Sequence, residues 1–301
     1  MDWFYVSLFA VFGLAIASLI EKPLASHLFP SPRILNIAFG LISIVRAVSY
    51  LVPVAFTVGF QGGSGIIWAI SGGVFFGLGI SLYFHGLKTE EVSRAVNITS
   101  ISPAFIVLLA VGILGESVTI PQLIAIGSVI VGVALIGFKP SSGKISLIDK
   151  KTYSILILSA FSIALAFIFI DEATNQMNIY ATEGFRCLGM SIGVLITHWT
   201  PKHSKPLIKA MKKPKVLLLT LLSEGLLTNV SALTLVYALS IGPVALVGAT
   251  FAIWPFVVLV LSAALSTRYL NLLNEPIDKG TLGFKLIATL LVVLGVAVLR
   301  L

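Results

Sequence analysis

Long uninterrupted apolar segments dominate this chain and constrain its fold more than any other feature. Only 11% of the residues are charged, whereas a soluble domain carries about 25%. A helix needs about 20 apolar residues to cross a bilayer. Hydropathy predicts ten such segments: 3–20, 34–58, 63–86, 94–114, 119–138, 153–170, 183–199, 216–239, 243–266 and 281–300. We therefore expect an all-α integral membrane protein with ten transmembrane helices, and a soluble enzyme is excluded.

The ten predicted spans divide into two similar halves, which a polar stretch from Lys139 to Lys151 separates. One offset of 152 residues aligns positions of the first half with positions of the second. The aligned pairs are Ser71 with Ser223, Gly73 with Gly225, Leu87 with Leu239 and Pro103 with Pro255. Matches in a common order are typical of a duplicated unit. The sequence thus predicts a first five-helix repeat at 1–145 and a second at 146–301.

The distribution of basic residues predicts how these repeats cross the membrane. Five spans is an odd number, so the second copy must enter the membrane in the opposite direction. Lys and Arg favour the cytoplasmic side. Where a loop of one half contains Lys or Arg, the equivalent loop of the other half contains none. The loop after the second span has no Lys or Arg, whereas six lysines lie between 202 and 215 after the seventh. We expect inverted repeats, with both termini outside and the central linker in the cytoplasm.

Short motifs inside this duplicated frame resemble a known family. They are the prolines at 103 and 255, the residues LGES at 114–117 with a weaker LNE copy at 273–275, and VGVALI at 131–136. In this order they resemble the ten-helix EamA-like group of the drug/metabolite transporter superfamily, over nearly the whole chain. The resemblance implies a carrier of small polar or amphipathic molecules, often an exporter, with its binding site between the halves.

A single carboxyl stands on a polar face of the eighth predicted span. Thr220, Glu224, Thr228 and Ser231 follow one another at intervals of 4, 4 and 3 residues, which places them on one side of an α-helix. A carboxyl inside an apolar span can hold a proton near neutral pH. Glu224 is therefore a candidate for proton coupling and, with Thr228, for substrate binding. The alternative is a structural carboxyl that bonds a neighbouring helix.

Two equivalent prolines predict a second group of candidate residues. Pro103 and Pro255 each remove a backbone hydrogen bond from a predicted span, and a kinked helix is tolerated where it lines a cavity. Polar and aromatic side chains stand near these prolines. The candidates for substrate binding, with packing as the alternative role, are Asn97, Ser100, Thr250 and Trp254.

Three further positions have open roles. Tyr237, which the offset aligns with His85, is a candidate substrate contact or a member of an aromatic belt. His85 is a second candidate for proton coupling, with an interfacial histidine as the alternative. Arg46 lies near the middle of the second span and needs an acidic or carbonyl partner, which the sequence does not identify. Gly73 and Gly77 have the GxxxG spacing that favours close helix packing.

The sequence favours a secondary transporter, an exporter of a small organic metabolite or drug across the cell membrane by alternating access, with or without proton coupling. The alternative class is an integral-membrane enzyme or lipid-handling protein, which no compact catalytic motif supports. The four histidines and the one cysteine lack metal-ligand spacing, so we expect no cofactor. The expected partners are the solute and the lipid bilayer; no basic stripe indicates nucleic acid, and a homodimer stays open.

Overall fold

Helices make up every regular element that the structure describes. The computed structural model describes residues 2–57, 59, 63–86, 98–99, 101–136, 150–254, 256–258, 260–261, 291, 294–295 and 298. The helices, numbered in chain order, are α1 Trp3–Pro23, α2 Pro32–Thr57, α3 Gly63–Gly86, α4 Ser102–Leu109, α5 Ile120–Ile136, α6 Lys150–Thr174, α7 Ile179–His198, α8 Ser204–Met211, α9 Pro214–Ile241 and α10 Val244–Phe251.

Six of these helices are long and apolar enough to cross a membrane: α1, α2, α3, α6, α7 and α9. They coincide with six of the predicted spans to within a few residues. The described parts of the fourth, fifth and ninth spans form the shorter apolar helices α4, α5 and α10. The predicted tenth span, 281–300, lies outside the described residues apart from isolated positions. The chain is thus a multi-pass membrane protein.

Two features of these helices differ from the sequence-based expectation. Pro103 lies in the first turn of α4, where a missing backbone N–H costs no hydrogen bond, instead of kinking a described helix. Pro255, its aligned partner, lies outside the described residues. In α9 the residues Leu221–Leu227 adopt a π-helical turn, which no pattern in the sequence predicts.

The short helix α8 is a further element that hydropathy did not predict. Its mean hydropathy is low because three of its eight residues are lysine or serine, yet Leu207 and Ala210 are buried. They pack against a cluster that includes Leu24 and Leu35. An amphipathic helix of this kind lies on the bundle and does not span a bilayer.

Helix α7 packs against both α2 and α3, in opposite directions. Asn36 and Arg46 of α2 contact His198 and Glu183 of α7 respectively, so α2 and α7 run antiparallel. In α3, a side chain at Gly73 would lie against the Arg186 carbonyl oxygen, and one at Gly77 against the Met190 carbonyl. Helices α3 and α7 therefore run parallel. The GxxxG spacing does bring two helix backbones together, as small residues allow.

Helices α4 and α10 form a second antiparallel pair. Gly248 of α10 packs against Ile106 of α4, while Glu116, after the end of α4, reaches the start of α10. The Glu116 carboxylate accepts the backbone N–H groups of Val244 and Ala245 at 2.7 and 3.0 Å. A carboxylate at this position satisfies two free donors and complements the helix dipole. This contact gives the LGE motif a structural role.

Candidate functional site

A cluster of buried charges joins α2, α7 and α9 near the middle of the helix bundle. Arg46 of α2 is 3% exposed and donates three hydrogen bonds. Its Nη2 atom bonds Glu183 Oε1 and its Nη1 atom bonds Glu224 Oε1, each at 2.9 Å. Its Nε atom bonds Asn229 Oδ1 at 2.8 Å. Arg46 therefore has the acidic partners that its position in an apolar span demanded.

A second arginine completes this charge cluster from α7. Arg186 donates from Nε and Nη2 to both oxygens of Glu183, at 2.6 and 2.7 Å. Its guanidinium also lies 5.5 Å from the centre of the Phe76 ring, a cation–π contact. Glu183 thus accepts hydrogen bonds from both arginines, whereas of the two arginines only Arg46 bonds Glu224 in the described part of the chain. The charge cluster is defined here as Arg46, Glu183, Arg186 and Glu224.

The local backbone explains how Glu224 reaches this cluster. Glu224 lies in the π-helical turn of α9, where the extra residue rotates the following face of the helix. Such turns are frequent at functional sites. Thr220 and Ser231, which the sequence placed on the face of Glu224, are buried as well, but Ser231 contacts Gly13 of α1 instead of α2. The single polar face is therefore shared between two neighbouring helices.

A third carboxyl lies beside the charge cluster. Glu21, near the end of α1, lies close enough to Glu224 for the two carboxyl groups to interact electrostatically. Thr228 is close to both carboxyl groups, and its buried hydroxyl oxygen has no hydrogen-bond partner in the described part of the chain. With Glu21 included, three carboxyls face two guanidiniums. Because isolated charges are costly in an apolar interior, the surplus negative charge favours a bound proton or a cationic group.

The other predicted binding residues do not join this cluster. Tyr237 packs against the largest apolar core, and the Thr250 hydroxyl donates to the Val247 carbonyl at 2.7 Å within its own helix. Trp254 packs beside a cluster that includes Val11 and Ala15 of α1. Its buried Nε1 atom has no acceptor among the described residues. Asn97 and Ser100 lie outside the described residues.

His85 lies in a different place, on a cavity at the end of the bundle where α3 and α7 end. The cavity has a volume of about 450 Å³, and Phe75, Leu82 and Leu158 contribute apolar walls. Asn36, Ser81 and Ser162 supply buried polar groups. The Asn36 side chain contacts His198 Nε2 through Nδ2 at 3.3 Å, while its buried Oδ1 atom has no partner among the described residues. His85 and Glu224 are therefore separate features.

A polar stripe on α2 connects this cavity with the charge cluster. Asn36, Ser43 and Arg46 all face α7, where they contact His198, Met190 and Glu183. Asn36 lies at the cavity and Arg46 in the cluster. Ten residues of helix separate them, or about 15 Å at 1.5 Å per residue. The structure thus places a mixed polar and apolar cavity and a buried ionic site along one helix contact.

Sequence reasoning missed several members of this site. Glu183 and Arg186 are spaced by three residues, a separation at which side chains meet on a helix, and this signal was available. Glu21 lies just after the predicted first span, 3–20, where a charged residue is expected at the membrane surface. Asn229 lies inside the eighth predicted span, next to Thr228, and has no local pattern that indicates a contact with Arg46. No local pattern indicates that α2 and α9 meet at Arg46.

Comparisons with known proteins agree with this architecture. A solved crystal structure of a protein superposes on 98% of this chain and 95% of its own, with a TM-score of 0.65 at 16% sequence identity; at that identity the likeness concerns the fold alone. No curated protein sequence matches significantly. The sequence profile of the EamA-like transporter family matches twice, over residues 3–138 and 150–301. The chain therefore belongs to the EamA-like transporter family.

Proposed function

We propose that this protein is a secondary transporter that exports a small organic solute by alternating access and couples that movement to protons at the charge cluster. The observation that carries the proposal is the surplus carboxyl beside two buried arginines. A group that gains and loses a proton while it faces a helix contact can bias the conformation of that contact. Membership of the EamA-like transporter family supports the general class.

The coupling step involves Glu224 because its ion pair with Arg46 joins α9 to α2. Arg46 of α2 belongs to the first match of the family profile, and Glu224 of α9 belongs to the second. Glu21 on α1, and Glu183 and Arg186 on α7, are the other charges that face this pair. A proton on Glu224 removes the negative charge that Arg46 faces on α9 and leaves only the neutral acceptor Asn229 there, so the contact between α2 and α9 weakens. Deprotonation restores the ion pair.

The arrangement of helices supports the proposal that the two halves, 1–145 and 146–301, are inverted repeats. Under the repeat alignment α7 is equivalent to α2, and α10 to α4. The members of each pair run antiparallel, as inverted copies require.

The cavity of about 450 Å³ has the size of sites that take small molecules, roughly 300–1,000 Å³. From the lysine distribution along the loops, we propose that both termini lie outside the cell.

Purified protein in proteoliposomes provides the test. Counterflow of labelled amino acids, organic acids and organic amines identifies the transported solute, and accumulation under an imposed pH gradient then measures coupling. Glu224→Gln keeps the shape of the side chain and its hydrogen bond from Arg46 but does not titrate. We expect this variant to retain counterflow and to lose accumulation driven by the pH gradient.

Glu172→Gln is a matched control, because Glu172 lies near the end of α6 and outside the charge cluster. It should retain both counterflow and accumulation. Normal pH-driven accumulation by Glu224→Gln would contradict the coupling role of Glu224. Absence of counterflow for every class of solute in the unmodified protein would contradict the transport function itself.

A further inference from the structure

A lysine-rich groove lies beside α8, at the end of the bundle where α1 and α7 end and α9 begins. Six lysines fall between 202 and 215, and no acidic residue occurs from 199 to 223. Three of the lysines line one cavity with a volume of about 530 Å³. The lining residues, here called the lysine groove, are Leu28, Pro30, Lys205, Pro206, Lys209, Ala210 and Lys213.

The lysine groove combines an apolar floor with three cations on one side. Lys205, Lys209 and Lys213 are spaced by four residues and are all exposed. Leu28 and Pro30 come from the connection between α1 and α2, so the groove spans two separate connections of the chain. The remaining lysines, Lys202, Lys212 and Lys215, are equally exposed but do not line it.

Neighbouring residues indicate that the lysine groove lies at the depth of lipid headgroups. Trp199, at the end of α7, is exposed, and tryptophan is enriched at the membrane–water interface. Leu217 and Leu218, in the first turns of α9, are exposed and apolar, as expected of a surface in contact with acyl chains. Helix α8 lies between these two markers along the chain. Its buried residues pack against the cluster around Leu24, which fixes the groove in place.

We propose that the lysine groove binds the headgroup of an anionic phospholipid. Its cations match the phosphate charge, and its apolar floor of Leu28, Pro30 and Ala210 offers a surface for the glycerol and the first acyl carbons. Basic pockets beside membrane helices bind such headgroups. A lipid bound here bridges the α1–α2 connection and the α8–α9 segment. This inference concerns a lipid site that is separate from the transport site, and it stands independently of the proposed transport activity.

Native mass spectrometry of the purified full chain tests this proposal with two triple variants that remove equal charge. The groove variant removes all three cations that line the groove and combines Lys205→Gln, Lys209→Gln and Lys213→Gln. The control variant leaves the groove intact and combines Lys202→Gln, Lys212→Gln and Lys215→Gln. The probes are phosphatidylglycerol, phosphatidylcholine and inorganic phosphate. Each lysine near an anionic lipid contributes a several-fold gain in affinity. The affinity of the groove variant for phosphatidylglycerol should therefore fall by about tenfold or more. The control variant should change by about threefold or less.

Equal losses in both triple variants would overturn the proposal, since they would show a general charge effect. Equal binding of phosphatidylglycerol and phosphatidylcholine to the unmodified protein would also overturn it. Competition by inorganic phosphate at the concentration of the lipid would assign the groove to free phosphate instead. If the groove variant fails to fold, the single changes Lys209→Gln, inside the groove, and Lys212→Gln, outside it, provide the same comparison. Equal affinities of these two variants for phosphatidylglycerol would refute the proposed lipid site.

Discussion

The two repeats build the same helix contact with opposite chemistry. In one place α3 packs on α7, and at the equivalent place α9 packs on α2. Gly77 of α3 brings its backbone against Met190 of α7, whereas Asn229, the residue aligned with Gly77, bonds Arg46 of α2. Gly73 lies against the backbone of Arg186, whereas among the described residues its counterpart Gly225 meets only Leu221 of its own helix within 4 Å. One contact is a close approach of two backbones, and the other is made by charged and polar side chains.

This difference indicates which contact moves. Close packing through glycines depends on backbone shape and does not change with protonation or with a ligand. An ion pair between helices weakens when one partner takes up a proton or another charge. We therefore expect the α2–α9 contact to separate during a transport cycle while the α3–α7 contact stays closed.

Removal of Arg46 should have the largest effect on the protein. Arg46→Met leaves the buried Glu224 without the arginine that it bonds, while Glu183 keeps Arg186. Breaking a buried ion pair by removing one partner costs roughly 3–5 kcal/mol, and we expect a corresponding fall in the free energy of unfolding in detergent. Arg46→Met combined with Glu224→Gln removes both charges, so it should recover most of the stability and still lack pH-driven accumulation. A single variant as stable as the unmodified protein would contradict the ionic character of the contact.

A methyl group at Gly73 should disturb the α3–α7 contact. Gly73→Ala places a Cβ atom against the Arg186 carbonyl oxygen and 2.7 Å from the Met190 nitrogen, so the two backbones must move apart. Overpacking of this kind costs about 1–3 kcal/mol, measurable as a lower thermal midpoint in detergent.

Gly127→Ala in α5 is the matched control for this change, because no atom of the residues that the structure describes lies within 4 Å of the added Cβ. Alanine favours a helix over glycine by up to about 1 kcal/mol. Gly127→Ala should therefore be neutral or slightly stabilising. Equal midpoints for Gly73→Ala and Gly127→Ala would show that the α3–α7 contact is looser than the glycines indicate.

The cap from Glu116 to α10 should give the smallest effect. Glu116→Ala leaves the N–H groups of Val244 and Ala245 without their carboxylate acceptor, and loss of such a cap costs about 1 kcal/mol. Glu172→Ala, at the same end of the bundle, serves as the control in the thermal assay. An unchanged midpoint for Glu116→Ala would mean that water replaces the cap, and that the ion pair in α2–α9 is the main polar contact between the halves.

The sequence predicted the helices far better than their contacts. Spans follow from hydropathy because a bilayer requires about 20 apolar residues of each, and the profile match confirms the family and the presence of two repeats. Glu224 and Thr228 were candidate site residues because polar groups in a span are costly, and the structure brings Glu224 into the charge cluster. The partner of Arg46 was not, since a contact between residues 178 positions apart depends on tertiary packing. The π-helical turn at Leu221–Leu227 likewise leaves no local signal.

Distances between spin labels on paired helices test most directly whether the α2–α9 contact opens while the α3–α7 contact stays closed. In a Cys187→Ala background, one label pair at Phe56 and Ile241 reports on α2 and α9, and another at Ile67 and Tyr180 reports on α3 and α7. All four side chains are exposed; Phe56 and Ile241 lie at the C-terminal ends of α2 and α9, and Ile67 and Tyr180 lie in the first turns of α3 and α7. In lipid nanodiscs we expect the α2–α9 distances to shift between alkaline and acidic pH, and Glu224→Gln to hold them at the acidic distribution, while α3–α7 distances stay constant. Equal shifts in both pairs, or a shift in α3–α7 alone, would contradict the assignment of the ionic contact as the one that opens.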